Sequence, residues 1–498
     1  MTTKYKTLGT ISPSISPKAF FNTYASKRQP VLINGLPDDK DFQASKWADS
    51  KLGYLTETAG NVTVMVEPIH PSSNQYGTDV ERVPMLFKDF LSSLQSPDGP
   101  HHYLTTQYAF DEEDEQVGGD REEEITTLPP PANALTDDFP LVPKLLGNLS
   151  LQQVNLWLGK SKEGSSSGLH HDFHDNLYIL LSGSKRFVLY PPSEHVHLYP
   201  HGKLDAFHSN GLISYKDAPV RSDGLPVRTA ARLRVKAIEA KLEELDTLNG
   251  KGKGKEKMGK EKENERKKLM KMHDEALDEL ARVTLDAADE EDFGFGEGEE
   301  DDFDALMAGL EVPDGNGAGS SSSSKLAREE EDSDEEDEGE EEGPTLGEDD
   351  DEEEEEDAET SGEPSSFSCI PTYTLHTHLE LPTTALPPPA SLPSPYTNLK
   401  KTCQPYVVHL TAGQMLYLPA SWWHEVTSTS TNDDGVHMAF NYWFYPSTGK
   451  TFEEPYEDAL VWDYLKARER KKVEVDGKKT KRKRVEGESE GGNKRSKR

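Results

Sequence analysis

Short apolar runs rich in β-branched and aromatic residues fall into two groups, and the stretch between them cannot build a core. VNLWLGK, NLYILLSG and KRFVLYPP end near Pro200, whereas YVVHL, MLYLP and HMAFNYWFYP begin at Tyr406. Gly and Ser punctuate the runs, the pattern of an antiparallel β-rich domain. Between Glu329 and Glu359, 23 of 31 residues are Asp or Glu, and none is Lys or Arg. Such a segment buries too little apolar surface to offset the entropy of ordering it. The pattern predicts one β domain in two halves, residues 1–218 and 366–466, with an insert at 219–365 and a basic tail at 467–498. Loop closure entropy grows slowly with length, so such an insert is tolerable when its ends lie close together.

Smaller elements follow from local pattern. PKAFFNTYASKR reads as a helical stretch before a short strand, PVLING, and NVTVMVEP and HHYLTTQYAF read as further strands. The acidic run DEEDEQVGGDREEE after Phe110 reads as an exposed loop. Pro226 to Leu248 and Glu261 to Leu285, rich in Ala, Leu, Glu, Lys and Arg, predict a helical hairpin broken at GKGKGK. Asp286 to Pro364 reads as disordered acidic sequence, with DFDALMAGLE inside it either a short partner-binding helix or a stray apolar spot. SFSCIPTYTLHTHLEL reads as a return to β structure, and Glu453 to Lys466 as a final helix. The insert as a whole is expected to be dispensable for folding.

Charge and cysteine usage exclude several classes. The formal net charge is −37, yet it conceals an acidic block and a basic end, KKTKRKR then KRSKR from Lys478 onward. Two cysteines, Cys369 and Cys403, cannot make a disulfide framework or a Cys-rich zinc module. No apolar run approaches the ~18 residues that span a bilayer, and MTTKYKTLGT lacks a hydrophobic signal core. The expectation is a soluble intracellular protein. The basic clusters read as a nuclear localisation signal, with a nucleic-acid-binding tail as the alternative, weakened by the lack of interleaved aromatics.

One constellation carries chemistry. In GLHHDFHDNLYILLSG, residues two apart on an extended chain share a face, so His170 and Asp172 can reach one metal while His171 points away. A third ligand, His424 in ASWWHEV, follows the apolar run Met415 to Pro419. Two histidines and a carboxylate with open positions are the arrangement of non-haem Fe(II) oxygenases. His174 shares the parity of His170 and would serve instead in a zinc site. His376 and His378, an i, i+2 pair without an adjacent carboxylate, read as surface strand residues, and His409 and His437 as structural. Trp422, Trp423 and Trp443 read as core or pocket wall.

The segments LHHDFHDNLY, GSKRFVLYPP and LYLPASWWHEV, in that order, resemble the Jumonji C (JmjC) and cupin-like family of Fe(II)- and 2-oxoglutarate-dependent oxygenases, in particular its small protein hydroxylases. The resemblance covers roughly Thr7 to Pro200 and Ser366 to Asp463. It implies a mainly β fold, a double-stranded β-helix with flanking helices. It implies His170, Asp172 and His424 as metal ligands and Lys185 as the partner of the distal carboxylate of 2-oxoglutarate. Ser167, Asn176 and Asn441 match positions lining the same pocket, and Tyr103 resembles a co-substrate-contacting tyrosine. A lysine ammonium is a sound anchor for the far end of a dianion, because a charge-assisted contact is stronger than a neutral one. Asp172 precedes His424 by 252 residues, more than a bare JmjC domain requires, and the insert accounts for the excess.

The resemblance implies hydroxylation of a protein side chain, with Fe(II), 2-oxoglutarate and O2 consumed and succinate and CO2 released. Demethylation of a methyl-lysine by the same site is the second reading, and a non-catalytic acidic scaffold the third. The expected partner is a protein, chromatin- or translation-related. The acidic tract serves either to attract basic partners or as a solubilising linker.

Overall fold

The computed structural model describes residues 4–49, 51–70, 76, 80–96, 102–107, 127–161, 164–250, 260–291, 364–382, 394–430 and 435–468. The acidic loop after Phe110, the GKGKGK break, the acidic tract with its DFDALMAGLE patch, and the basic tail lie outside the described residues.

Eight strands, numbered in chain order, form the frame: β1 (Leu151–Gly159), β2 (Ser165–Ser166), β3 (Asp175–Ser182), β4 (Ser184–Tyr190), β5 (Tyr406–Thr411), β6 (Met415–Leu418), β7 (Trp423–Thr429) and β8 (His437–Phe444). They divide into two antiparallel sheets, ordered β6-β3-β8-β1 and β5-β4-β7-β2. The chain changes sheet at every step but one. From β4 to β5 it stays in the smaller sheet, and these two strands pair directly, Val188 opposite Val407. The long interruption therefore occupies a hairpin position whose two ends are already adjacent, which is why the frame tolerates it. The larger sheet grows to nine strands. Val31–Ile33 and Thr10–Ile11 extend it beyond β6, and His102–Leu104, Thr63–Pro68 and Val83–Leu86 extend it beyond β1.

Strand parity explains the continuous apolar runs. In β3, Leu177, Ile179 and Leu181 face a core under the N-terminal helices, while Tyr178 and Leu180 face the space between the sheets. In β4, Phe187 and Leu189 point between the sheets, while Val188 and Tyr190 pack outward against Ile213, Tyr215 and Ile370. A strand buried on both faces reads as unbroken hydrophobic sequence.

The helical hairpin forms from Val227–Gly250 and Lys260–Glu291, with Val235 and Ile238 packed among Leu269 and Ala276. The seam at residue 219 does not coincide with a break in packing. Leu225, Ala230 and Leu233 belong to the main core, and buried Asp223 accepts hydrogen bonds from Trp462 Nε1 at 2.9 Å and Arg221 at 2.6 Å. Dispensability therefore does not extend to the whole of 219–365. The helical pattern hid this, because the apolar residues of its first turns look like those of any amphipathic helix.

A second correction concerns the β reading after the insert. Phe367 and Ser368 do make isolated bridges, but Thr372–Leu379 is a helix. The alternation TYTLHTHL suggests period two, yet Leu375 and Leu379 are four apart and share one helical face, packed on the outside of the smaller sheet. The turn ends at Glu380 with φ 57°. His376 is not a surface residue: it is 1% exposed, and its Nε2 lies 3.1 Å from fully buried Glu425. Arg186 lies 2.9 Å from the same nitrogen and donates to the Thr427 hydroxyl at 2.8 Å, and the Ser166 and Thr427 hydroxyls donate to Glu425 at 2.7 Å each. The final helix spans 459–468, later than its sequence suggests.

Two stability measurements check this packing. Leu233→Ala should cost about 2–5 kcal/mol in a urea unfolding experiment, while Met270→Ala, on the exposed side of the hairpin, should change stability by less than about 0.5 kcal/mol. His376→Ala should cost about 3–5 kcal/mol by the same assay, since it strips a partner from a buried carboxylate.

Candidate metal centre and co-substrate pocket

Backbone pairing brings the first and last site residues together. His170 N donates to His424 O at 3.0 Å, and His424 N donates to His170 O at 2.7 Å. This reciprocal pair holds two residues directly opposite each other, with side chains on one face. Their rings lie 4.2 Å apart. Asp172 shares that face. Its carbonyl accepts from Ser421 N at 2.7 Å, and its carboxylate lies 3.7 Å from His424 Nε2. The parity argument holds although the regular strand starts only at Asp175. His171 points the other way and bonds the Tyr215 hydroxyl at 2.7 Å.

His170, Asp172 and His424 each offer a ligand atom, and these atoms all lie within 4.8 Å of one another. The tautomers suit coordination. His170 Nδ1 lies 3.1 Å from Gly168 O, and His424 Nδ1 lies 2.9 Å from Trp422 O. Carbonyls only accept, so each Nδ1 carries the hydrogen and each Nε2 keeps its lone pair for a metal. Burial pushes both imidazoles down to about 4, so they are neutral near pH 7 as ligation requires. Burial raises the Asp172 carboxyl, against the pull of His170, Asn176 and Trp443. A cation between the three groups would relieve that cost.

The same pocket holds Lys185 at its other end. Its ammonium donates to Tyr103 Oη at 3.0 Å and Ser428 Oγ at 2.9 Å, under the rings of Tyr103 and Tyr178. Burial pushes it down to about 7. Among the described residues no carboxylate pairs with it, and its hydrogen-bond partners are two neutral hydroxyls. An anion would satisfy it.

Ser167 and Asn176 also line the pocket, whereas Asn441 does not. Asn441 is fully buried behind Asn176: its amide donates to Asn176 Oδ1 at 2.9 Å and accepts from Trp157 Nε1 at 2.8 Å. It fixes a lining residue instead of being one. Sequence motifs missed Ser428, Tyr178, Tyr76 and Trp157. Ser428 sits in an unremarkable Ser/Thr run, but counting by twos from His424 along β7 reaches it, and it pairs with Lys185.

The other histidines take no part in the triad. His174 stacks on Trp443 with Tyr445 at its edge. His437 is buried with its edge toward Tyr103, and His409 is exposed. Trp422 and Trp423 are core residues, as expected.

Known proteins match this architecture. The cupin-like domain family matches residues 17–450. JmjC domain-containing protein 4 of Schizosaccharomyces pombe is 34% identical over 457 residues, covering 90% of this chain and 86% of its own. Lysine-specific demethylase JMJ31 of Arabidopsis thaliana is 27% identical over 42% of this chain and 41% of its own. The Homo sapiens bifunctional peptidase and (3S)-lysyl hydroxylase JMJD7 is 38% identical over 60 residues, 12% of this chain and 18% of its own. A mainly β, two-sheet frame with a His-Asp-His group, matched over nearly its whole length, makes this chain a member of the cupin-like JmjC family.

Proposed function

We propose that this protein is an Fe(II)- and 2-oxoglutarate-dependent dioxygenase that hydroxylates a side chain of a protein substrate. The observation that carries the proposal is the buried Lys185 ammonium without a carboxylate, in one pocket with the three-residue metal group. A pocket built for a metal alone has no use for a second, uncompensated cation. A ligand that chelates at one end and carries a carboxylate at the other fits both.

In this reading His170, Asp172 and His424 hold the iron. Lys185 fixes the distal carboxylate, with Tyr103 and Ser428 completing its acceptors and Asn176 lining the wall that Asn441 braces. Ser167 contributes a pocket wall whose hydroxyl is engaged with backbone, donating to Gly168 O and accepting from Val426 N. Tyr178, Phe187 and Val426 exclude water from the interior end. Bound there, the metal and co-substrate supply O2 activation coupled to decarboxylation, releasing succinate and CO2; the chain orients and shields.

Methyl-lysine demethylation is the second reading, favoured by the likeness to relatives named lysine-specific demethylases. Hydroxylating an N-methyl carbon gives a hemiaminal that loses formaldehyde, so one site serves either outcome. The basic tail supports a nuclear location and chromatin- or translation-related substrates. Incubation with Fe(II), 2-oxoglutarate and a cell extract, followed by mass spectrometry, separates the two. A shift of about +16 Da supports hydroxylation and about −14 Da demethylation, from the mass of one oxygen or one methylene; neither shift with any substrate would sink both in favour of a scaffold.

Single substitutions test the roles. His170→Ala, Asp172→Ala and His424→Ala should each abolish 2-oxoglutarate turnover. Lys185→Ala should keep metal affinity and lose roughly 10- to 150-fold in 2-oxoglutarate affinity, the equivalent of a charge-assisted contact of about 1.5–3 kcal/mol, measured by calorimetry.

The pH dependence has a definite sign. The free ammonium titrates near 7, and the bound dianion raises that value, so binding takes up a proton above pH 7. Affinity for 2-oxoglutarate should therefore fall as pH rises past 7, approaching about tenfold per unit, and Lys185→Ala should flatten the profile. A profile unchanged by Lys185→Ala would place the titrating group elsewhere.

A further inference from the structure

We infer that Phe367, on the segment that re-enters the domain after the insert, is a positioning residue for the His170 imidazole. The inference rests on the metal-site reading above.

Residues 365–369 run between two edges and bond to both. His171 N donates to Ser366 O at 3.1 Å and Ser368 N to Leu169 O at 2.8 Å on one side. On the other side, Cys369 N donates to Tyr199 O at 2.8 Å, His201 N to Phe367 O at 2.9 Å and Gly202 N to Ser365 O at 3.0 Å. The segment is thus stitched in place over its whole length, with Phe367 bridged to His170. The Phe367 ring lies parallel to the His170 ring, centroids 4.7 Å apart and planes 14° apart.

His170 needs such support more than its partners do. His424 sits within regular strand β7, and Asp172 is followed by β3, but His170 makes only isolated bridges. Its one side-chain hydrogen bond, Nδ1 to Gly168 O, fixes the tautomer and leaves rotation of the ring about that contact open. Phe367 closes that freedom from one face while His424 stands 4.2 Å away at a tilt. A flat ring does this better than an aliphatic chain, because contact over the whole face penalises any rotation out of parallel. The segment SFSCIPTYTLHTHLEL contains Phe367, but nothing in that segment points to His170, since the pairing that brings them together spans the insert.

The test titrates metal-free protein with Co(II), followed by the visible absorption of the bound ion. Phe367→Leu keeps apolar bulk and removes the flat face. It should weaken Co(II) binding about 2- to 13-fold, the range an aromatic pair supports, and alter the absorption band. Phe367→Tyr should restore both, and the melting temperature of metal-free Phe367→Leu should stay near wild type. Wild-type Co(II) affinity in Phe367→Leu would overturn the inference. So would a weakening that tracks a loss of metal-free stability and is not rescued by Phe367→Tyr. If Phe367→Ala fails to fold, the Leu and Tyr variants still decide. His170→Ala separates the two levels: if it too binds Co(II) normally, the metal-site reading fails; if it alone loses Co(II), only the role of Phe367 fails.

Discussion

Two backbone hydrogen bonds exchanged between His170 and His424 set the geometry on which the site depends. They fix the register of the smaller sheet against the chain entering β3. Period-two alternation then propagates that register. Along β7 it directs His424, Val426 and Ser428 inward, and along β4 it directs Lys185, Phe187 and Leu189 inward. A slip of one residue in either strand would turn the whole inward set outward. Because Ser428 pairs with Lys185 in the same ladder that carries His424, the distance from metal group to lysine is a property of one sheet and not of loops.

The opposite parity of the same two strands builds a second structure. Arg186, Glu425 and Thr427 face outward, where His376 of the helix after the insert covers them, and Thr372 of the same helix bonds the Ser166 hydroxyl beside Glu425. The Glu425 carboxyl is buried, which alone would raise it, yet His376, the Arg186 guanidinium and the Thr427 hydroxyl beside it hold it below its usual value. The strands that carry the site are thus held from behind by polar contacts of defined geometry. Such contacts discriminate between registers more sharply than apolar packing does, since a shifted carboxylate would be left unpaired in the interior.

Much of this was legible in the sequence where short spacing carried the information. His170 and Asp172 need only two-residue parity, Lys185 sits in a dense motif, and β1, β3 to β6 and β8 announce themselves as apolar runs. What the sequence hid depends on partners far along the chain. Ser428 becomes a site residue only through its pairing with Lys185, and Phe367 only by lying across from His170. His376 was misread because TYTLHTHL satisfies period two and an i, i+4 apolar pair at once, and the choice is made by the sheet surface that Leu375 and Leu379 cover. The start of the helical hairpin is legible, but the boundary drawn at 219 is not, because Leu225 and Leu233 join a core whose other members, such as Trp462, lie far away in sequence.

Tyr103 belongs to none of the eight frame strands. It arrives on His102–Leu104, paired to β1 at the far side of the large sheet and joined there to Thr63–Pro68. The phenol that meets the Lys185 ammonium is thus lent by the amino-terminal third of the chain, whereas His424 comes from frame strand β7 and His170 and Asp172 from the connection between β2 and β3. The two halves of the chemistry have separate structural ownership. An eight-strand core cut free of its preceding region would keep His170, Asp172, His424 and Lys185 and lose the phenol that the ammonium meets.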